Sequence, residues 1–225
     1  DTGQQDTGQQ DTGQQDTGQH YFSARPAAAE ERRRLRVRLA GRDVEVDTAR
    51  GVFSADRLDP GTAVLLPLLD EAAAAGAMPA GPVLDLGCGW GPIALSLALH
   101  EPQRPVRAVD VNERALDLLR ATAARLDLPA VRPALPDEVP ADERFAAIWS
   151  NPPIRIGKEE LHALLQRWLP RLAPGGAAHL VVQRNLGADS LHRWLADGGV
   201  PGARVERVAS SKGYRVLRVT GTGPG

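Results

Sequence analysis

Hydrophobic and polar positions alternate strictly over residues 33–50, where the chain reads RRLRVRLAGRDVEVDTAR. The apolar face carries Leu35, Val37 and Leu39, and the opposite face carries Arg34, Arg36 and Arg38. A turn at Gly41–Arg42 leads to a second alternating run, so the pattern predicts a β-hairpin. Such an arginine row is typical of the solvated side of a half-buried sheet, and it also suits contact with a polyanion.

Helical spacing replaces this alternation from Gly61 onward. The apolar stripe of the predicted helix comprises Ala63, Leu65, Leu66 and Leu69. Pro67 lies within the stripe, and we expect it to delay or kink the start of the helix, because proline donates no backbone hydrogen bond.

Strands and helices then alternate at regular lengths along the rest of the chain. The pattern predicts strands at 82–86, 106–110, 130–134, 144–150 and 177–182, and helices at 91–100, 112–126, 159–172 and 188–197. Two final strands, near 203–209 and 213–220, have no helix between them and predict an antiparallel hairpin at one edge. We therefore expect an α/β fold: a doubly wound, mostly parallel seven-stranded sheet with an antiparallel edge strand and an N-terminal hairpin and helix extension.

The N-terminal segment has a different composition. Residues 1–19 repeat the unit DTGQQ three times and end with DTGQ. No residue of this unit is apolar, so the segment can bury nothing that would offset its loss of conformational entropy. We predict three parts: a low-complexity disordered tail (1–19), a hairpin extension that packs on the core (20–60) and an α/β domain (61–220).

The composition restricts the class of protein. The chain has 225 residues, 42% of them hydrophobic and 24% charged, which is ordinary for a globular domain. The single cysteine, Cys88, excludes an internal disulfide framework, so we expect a reducing, cytoplasmic location. No apolar run approaches the roughly 18 residues that span a bilayer, and no membrane partner is expected. The five histidines lack metal-ligand spacing, and no metal is expected.

The formal net charge of −1 is unevenly distributed. Residues 1–20 carry four aspartates and no lysine or arginine, which leaves 27 basic against 24 acidic residues in the remainder. All of the basic residues except Lys158 and Lys212 are arginines. Arginine suits phosphate and base stacking, but a GC-rich genome produces the same bias. The charge therefore permits RNA binding without requiring it.

A glycine-rich turn follows the predicted strand 82–86 and precedes a helix; its glycines are Gly87, Gly89 and Gly91. Glycines there allow a tight turn and let the backbone approach a ligand at the helix N-terminus. Asp85, at the end of the strand, can accept hydrogen bonds or face a cation. Asp110 ends the next strand, where a carboxylate can bind both hydroxyls of a ribose. These features predict a cofactor that contains adenosine.

The glycine spacing is G-x-G-x-G rather than the G-x-G-x-x-G of dinucleotide binders. An acid before the loop and Pro92 after it suit a cationic ligand without phosphate. The arrangement resembles the S-adenosylmethionine (SAM) site of class I methyltransferases. The product would then be S-adenosylhomocysteine.

The sequence WSNPPIRIGK (149–158) follows the fourth predicted strand of the sheet. Its NPP resembles the (N/D/S)PP(Y/F/W) motif of methyltransferases that act on amino groups of adenine, guanine or glutamine amide. The lone pair of such a nitrogen is conjugated, so it is a poor nucleophile. The Asn151 side-chain oxygen and the Pro152 carbonyl can each accept one of its N–H groups and aim the lone pair. Pro153 stiffens the loop.

The flanking segments narrow the resemblance. HYFSARP (20–26), GVFSADRLDPGTAVLL (51–66) and KGYRVLR (212–218), together with the NPP segment, resemble small-domain methyltransferases of the RsmC type. That family modifies guanine N2 in small-subunit ribosomal RNA, so the resemblance implies RNA or the small ribosomal subunit as partner. It also implies an auxiliary domain, and we expect this chain to correspond to the catalytic half alone.

The resemblance assigns roles to particular residues. It implies catalytic roles for Asn151, Pro152, Pro153 and Ile154. It implies cofactor contacts for Asp85, Gly87, Cys88, Gly89, Gly91, Asp110 and Val111, and for a preceding segment that closes the pocket and contains Phe53, Ser54, Leu58, Asp59, Gly61 and Thr62. Alternatively, this segment is a hairpin and helix cap that only packs on the core.

Two positions depart from the family pattern. Ile154 replaces the aromatic residue that would stack on a flipped base, which leaves Tyr21, Phe22 and Phe53 as stacking candidates. The third parallel strand has no acid or amide at its tip, and Asp137 lies late for a contact with the adenine amino group. Trp168 and Trp194 have the helical spacing of core residues, and Cys88 is interpreted as a small residue chosen for fit rather than a nucleophile.

Three functions are compatible with these motifs. The first is an N-methyltransferase acting on guanine N2 of ribosomal RNA. The second keeps the enzyme class but changes the substrate to a protein glutamine or a small-molecule amine, because the body is only mildly basic. The third is a catalytically silent RNA-binding module, which would bind neither SAM nor S-adenosylhomocysteine.

Overall fold

The computed structural model describes residues 32–221 of the chain. Within this range there are nine strands: β1 (Arg32–Leu39), β2 (Arg42–Ala49), β3 (Val83–Leu86), β4 (Val106–Val109), β5 (Val131–Ala134), β6 (Phe145–Ser150), β7 (Leu172–Gln183), β8 (Arg204–Ser211) and β9 (Tyr214–Thr220). The α-helices of the same range are α1 (Pro60–Ala74), α2 (Pro92–His100), α3 (Glu113–Arg125), α4 (Lys158–Trp168) and α5 (Ala188–Ala196). The predicted alternation of strands and helices is confirmed.

Seven strands form one sheet in the order β5-β4-β3-β6-β7-β9-β8. Strands β3 to β7 are parallel, and β9 runs antiparallel between β7 and the edge strand β8. The predicted doubly wound sheet, with its antiparallel hairpin at one edge, is confirmed. The strand order reverses between β3 and β6, and ligands of such sheets bind at the carboxyl ends of the strands beside this reversal.

Both faces of the sheet are covered, so its central strands are continuously buried. All four residues of β3 are buried, and Val83 and Leu84 point to opposite faces and join two separate apolar clusters. One cluster includes the buried sides of α1, α2 and α3, and the other includes those of α4 and α5. Burial on both faces explains why these strands are apolar runs rather than alternating sequences.

The hairpin β1–β2 lies apart from the main sheet and packs on α3. The backbone N–H of Asp47 donates to Thr122 Oγ1 (2.9 Å), and the Arg125 guanidinium donates to the carbonyl of Glu45 (2.9 Å). Its two-residue turn is Ala40–Gly41, where φ is +48° and +71°, rather than the predicted Gly41–Arg42. Positive φ at both central residues matches the right-handed strand twist.

Helix α1 begins at Pro60 and continues through Pro67, so the expected delay of its start is wrong. The Asp59 carboxylate accepts from the Thr62 N–H (3.0 Å) and caps the first turn. Burial of Leu65, Leu66 and Leu69 against the sheet stabilises the helix where Pro67 leaves one hydrogen bond unmade.

The end of helix α4 differs from the prediction. Helix α4 ends at Trp168, before the predicted 172, and a short 3₁₀ turn over Leu169–Arg171 contains Pro170.

Within 32–221, no helix combines the length and apolarity needed to cross a bilayer. The predicted tail 1–19 lies outside the described residues, and the proposed boundaries at 20, 60 and 61 remain predictions.

Candidate active site

A cleft opens at the carboxyl edge of the sheet, beside the reversal between β3 and β6. Three segments converge on it: the loop after β3, the β2–α1 connection and the NPP turn after β6. Its lining comprises Phe53, Ser54, Asp59, Thr62, Gly87, Cys88, Gly89, Trp90, Pro92, Ile93 and Asn151. The structure thus brings together residues from both sets that the sequence singled out, the glycine loop and the NPP segment.

The glycine loop folds tightly because its backbone adopts conformations that side chains disfavour. Gly87, Gly89 and Gly91 all have positive φ. A Cβ on Gly91 would lie 2.3 Å from Leu119 Cδ1, so this glycine also allows α3 to pack closely. A Cβ on Gly87 would point toward the NPP turn, 3.9 Å from the Asn151 carbonyl oxygen. The loop backbone is therefore open toward the cleft.

Asp85 lies behind this loop rather than on the cleft wall. Its side chain is fully buried, and Oδ2 accepts from the Ala94 N–H in the first turn of α2 (2.9 Å). Among the described residues, its other oxygen has no hydrogen-bond partner. Burial raises the pKa of this carboxyl to about 8, more than the Ala94 hydrogen bond lowers it. Asp85 accepts a hydrogen bond, as expected, but it holds the loop and helix together.

Asp110 connects the two loops at the ends of β3 and β4. Its Oδ2 accepts from the Gly89 N–H (2.8 Å), and its Oδ1 accepts from the Asn112 N–H (2.9 Å). Burial raises its pKa, and these backbone hydrogen bonds oppose that shift. Val111, the next residue, is 59% exposed.

The Asn151 side chain is held in one orientation by the start of α1. Its Nδ2 donates to Asp59 Oδ2 (2.6 Å) and to Thr62 Oγ1 (3.1 Å). An ionised carboxylate can only accept, so the nitrogen end of the amide must face Asp59. Within residues 32–221, the amide oxygen on the opposite side has no hydrogen-bond partner. Asp59 and Thr62, expected at the cofactor, contact the expected catalytic asparagine.

The two prolines form a compact turn. The Ile154 N–H donates to the Pro152 carbonyl (2.8 Å) across Pro153, whose φ of −73° and ψ of +79° are those of an inverse γ-turn. One lone pair of the Pro152 carbonyl is thus occupied within the loop, and one remains. Ile154 packs against the apolar cluster beneath α4, so its side chain anchors the turn.

Gly61 allows a close approach that sequence reasoning did not anticipate. A Cβ there would lie 3.0 Å from Tyr214 Cε1 and 3.3 Å from Asn151 Nδ2. Tyr214 begins β9, and because β9 is antiparallel its first residue lies at the same edge as the carboxyl ends of the parallel strands. In the sequence, Tyr214 is part of KGYRVLR. The tight turn at Lys212 and Gly213, directly before Tyr214, is the sequence feature that could have indicated this position.

The other aromatic residues divide between cleft and core. Phe53 lines the cleft and is 64% exposed, whereas Tyr21 and Phe22 lie outside the described residues. Trp90, which sequence reasoning missed, is buried beneath the loop, and its Nε1 donates to the Ser54 carbonyl (3.2 Å). Trp168 is fully buried, as expected, and Trp194 is half-buried and stacks on a histidine ring.

Three remaining predictions concern Cys88, Asp137 and metal binding. Burial raises the pKa of the Cys88 thiol well above its usual value, which argues against a nucleophile. Asp137 is exposed and pairs with Arg167 (2.7 Å), so it offers no visible adenine contact. Over residues 32–221, no group of three or more His, Cys, Asp or Glu side chains is arranged to hold a metal ion.

These features define the class of protein. A seven-stranded sheet with β9 inserted antiparallel, a glycine loop after β3 and an acid after β4 form the fold and cofactor region of a class I SAM-dependent methyltransferase. The residues fit SAM, because the glycine loop leaves its backbone open toward the cleft and the Asp110 carboxylate lies beside it.

The chain belongs to the methyltransferase small domain family, whose profile matches residues 43–218. It is 32% identical over 202 residues to the uncharacterised protein YbxB of Bacillus subtilis, covering 88% of this chain and 96% of that protein. It is 35% identical over 174 residues to ribosomal RNA small subunit methyltransferase C of Pseudomonas aeruginosa, covering 71% of this chain and 50% of that protein.

A solved structure of a small-subunit ribosomal RNA methyltransferase is also similar to this chain. The chain superposes on the T. thermophilus 16S rRNA N2 methyltransferase RsmC, in complex with AdoMet and guanosine, with a TM-score of 0.71 and 25% identity. The match covers 87% of this chain and 52% of that one. The chain therefore spans about half the length of the methyltransferase C relatives it matches.

Proposed function

We propose that this methyltransferase transfers the methyl group of SAM to an exocyclic amine, guanine N2 in small-subunit ribosomal RNA. The observation that carries the proposal is the Asn151 side-chain amide: its nitrogen donates to Asp59 and Thr62, and the residue lines the cleft together with Gly87 and Gly89. A fixed acceptor at this place suits an N–H donor. The similarity to ribosomal RNA small subunit methyltransferase C supports RNA as the substrate.

In this proposal the glycine loop and the two carboxylates hold the cofactor. Asp110, fixed by two backbone N–H groups, binds the ribose hydroxyls with its remaining lone pairs, and Val111 covers the adenine. Asp85 acts indirectly, by fixing the N-terminus of α2. The further cofactor contacts are Gly87, Cys88, Gly89 and Gly91 in the loop, and Phe53, Leu58, Asp59, Gly61 and Thr62 on the opposite side.

The NPP turn supplies the substrate side. SAM, when bound, provides a methyl group on a positively charged sulfur. The Asn151 oxygen and the free lone pair of the Pro152 carbonyl accept the two N–H groups of the amine, which turns its lone pair toward the methyl. Pro153 keeps both acceptors in place through the γ-turn, and Ile154 anchors that turn to the core. Transfer would give S-adenosylhomocysteine as the second product, and the methylated nitrogen would release one of its protons to solvent.

The test is methyl transfer from labelled SAM to separated ribosomal subunits that lack this methylation, followed by mass analysis of the nucleosides. We expect label in small-subunit RNA, recovered as N2-methylguanosine. Heat-denatured protein and the Asn151→Ala variant are the controls. Absence of label from every RNA fraction would refute the RNA part of the proposal.

A second substrate class follows from Ile154. Ile154 is not aromatic, and its side chain packs against the core, so this position offers no ring on which a flipped base could stack. A protein glutamine amide or a small-molecule amine would not need such a face. Label that becomes soluble after protease treatment, or that appears in no polymer, would favour this alternative over RNA.

A further inference from the structure

A groove beside the cleft carries positive charge. Its floor is the β2–α1 connection, and its lining comprises Arg33, Arg50, Gly51, Val52, Ser54, Ala55, Asp56 and Arg57. Ser54 lines both this groove and the cleft, and the neighbouring Phe53 lines the cleft and is 64% exposed. A ligand chain that leaves the cleft at Ser54 therefore enters the arginine-lined groove directly.

The arginines of the groove differ from the arginine row of the hairpin. On β1, each arginine of the row lies near an acid of β2: Arg34 near Glu45 and Asp47, Arg36 near Glu45, and Arg38 near Asp43. In the groove, Arg33 pairs with Asp56 (3.3 Å). Arg50 and Arg57 are exposed, and no acid in the described part of the chain pairs with either. Compared with the arginine row of the hairpin, the groove therefore has two arginines, Arg50 and Arg57, whose charge no acid of the described residues balances.

The floor of the groove is fixed relative to the cleft. The Gly51 carbonyl accepts from Asn112 Nδ2 (3.1 Å), which joins it to the segment that carries Asp110. The Ser54 carbonyl accepts from Trp90 Nε1 (3.2 Å), which joins it to the glycine loop. These two hydrogen bonds therefore hold the backbone of the segment between Arg50 and Arg57 beside the cleft.

We propose that Arg50 and Arg57 bind phosphates of the RNA strand that flanks the target nucleotide, with Phe53 stacking on a base at the entrance. This inference rests on the proposed RNA substrate and deepens it. Guanidinium groups match phosphate oxygens in geometry and charge, and a positive groove with an exposed aromatic ring is the usual surface for a single strand. The groove would supply part of the RNA affinity of this domain.

The test compares two double variants with the same change in charge. Arg50→Gln with Arg57→Gln removes the groove arginines. Arg144→Gln with Arg193→Gln removes two exposed arginines elsewhere, one before β6 and one on α5. Binding of a fluorescein-labelled 20-nucleotide single-stranded RNA of mixed sequence is measured by anisotropy from 50 to 200 mM KCl, and SAM binding is measured by calorimetry.

We expect the groove variant to bind the RNA about tenfold more weakly at 50 mM KCl. The slope of the logarithm of the RNA association constant against the logarithm of KCl concentration should become less steep by about 1.4, because each phosphate contact to a single strand contributes about 0.7. SAM affinity should be unchanged, and the control variant should bind RNA like the wild type. Wild-type RNA affinity in the groove variant, or an equal loss in the control variant, overturns the inference.

Methyl transfer measured on the same proteins separates this inference from the proposed function. Transfer to ribosomal RNA with a raised KM in the groove variant supports both. Transfer with an unchanged KM and unchanged RNA affinity overturns the groove assignment and leaves the proposed function standing. Groove-dependent RNA binding by a wild-type protein that methylates no RNA supports the groove and overturns the proposed function.

Discussion

The two walls of the cleft are built differently. The glycine wall (Gly87 to Gly91) is shaped by backbone conformation, and the Asp85 and Asp110 carboxylates hold it in place by accepting backbone N–H groups. The amide wall (Asp59 to Thr62, with Asn151 to Ile154) depends on contacts between side chains that lie 92 and 89 residues apart in sequence. The first wall is local and buried, and the second is assembled by tertiary packing.

This difference predicts different consequences of substitution. Changes in the glycine wall should reduce stability and cofactor affinity, because they disturb the backbone of the core. Changes at the polar groups of the amide wall should reduce turnover more than they reduce stability or SAM affinity. The following predictions test that separation.

The largest effect is expected at Asn151. Asn151→Ala removes the oriented acceptor, and we expect kcat to fall about 10³-fold, comparable to the loss of one oriented donor or acceptor in other active sites. The Kd for SAM should stay within about twofold. Single-turnover transfer and calorimetry measure the two quantities. A loss of SAM affinity as large as the loss of kcat would show that Asn151 serves the cofactor instead.

Gly91 provides the matching test of the glycine wall. Gly91→Ala adds a Cβ 2.3 Å from the Leu119 side chain at a φ of +87°, and we expect the free energy of unfolding to fall by about 3 kcal/mol. Gly41→Ala is the control, because its φ is +71° and no atom lies within 4 Å of the added Cβ. We expect the control to lose about 1 kcal/mol. Equal losses in urea denaturation would exclude the contact with Leu119 as the cause.

Asp85 makes stability depend on pH. Burial raises its pKa from 3.8 to about 8 in the folded state. The unfolded chain has released this proton by pH 6, whereas the folded protein still holds it, so folding takes up a proton. The free energy of unfolding should therefore decrease as pH rises from 6 to 8, by at most about 2 kcal/mol.

Asp85→Asn is the isosteric control for this prediction. The amide oxygen can still accept from Ala94, but the side chain no longer titrates. Its stability, measured by urea denaturation at each pH, should change less between pH 6 and 8 than that of the wild type. Parallel curves for the two proteins would show that Asp85 does not carry the raised pKa.

The sequence predicted the glycine wall better than the amide wall, for a physical reason. Parallel strands buried on both faces leave apolar runs, and the glycines and Asp110 directly follow such runs, so position along the chain places them. The contact between Asp59 and Asn151 depends on how α1 packs against β7, the neighbour of β6 in the sheet, and no periodicity encodes that packing. The close approach of Tyr214 to Gly61 likewise depends on the insertion of β9 between β7 and β8.

Small errors had local causes. The hairpin turn lies one residue earlier than predicted because Ala40 adopts a positive φ, which is unusual for alanine. The missing N–H of Pro67 predicts a disturbed helix start, but burial of the surrounding leucines determines that the helix continues. The use of the Pro152 carbonyl inside its own turn depends on backbone angles that composition does not reveal.

The smallest expected effect is the most specific test of the amide wall. Asp59→Asn preserves the shape and the N-cap of α1, because asparagine caps a helix about as well as aspartate. It removes the acceptor-only group that fixes the Asn151 amide, so a fraction of molecules would present nitrogen instead of oxygen to the amine. We expect kcat to fall about tenfold, with the free energy of unfolding within about 0.5 kcal/mol of the wild type. Thr62→Ser keeps the hydroxyl and should retain most activity, whereas Thr62→Val should lose a few-fold. Full activity in Asp59→Asn would mean that the packing of the NPP turn alone, and not the contact with α1, orients Asn151.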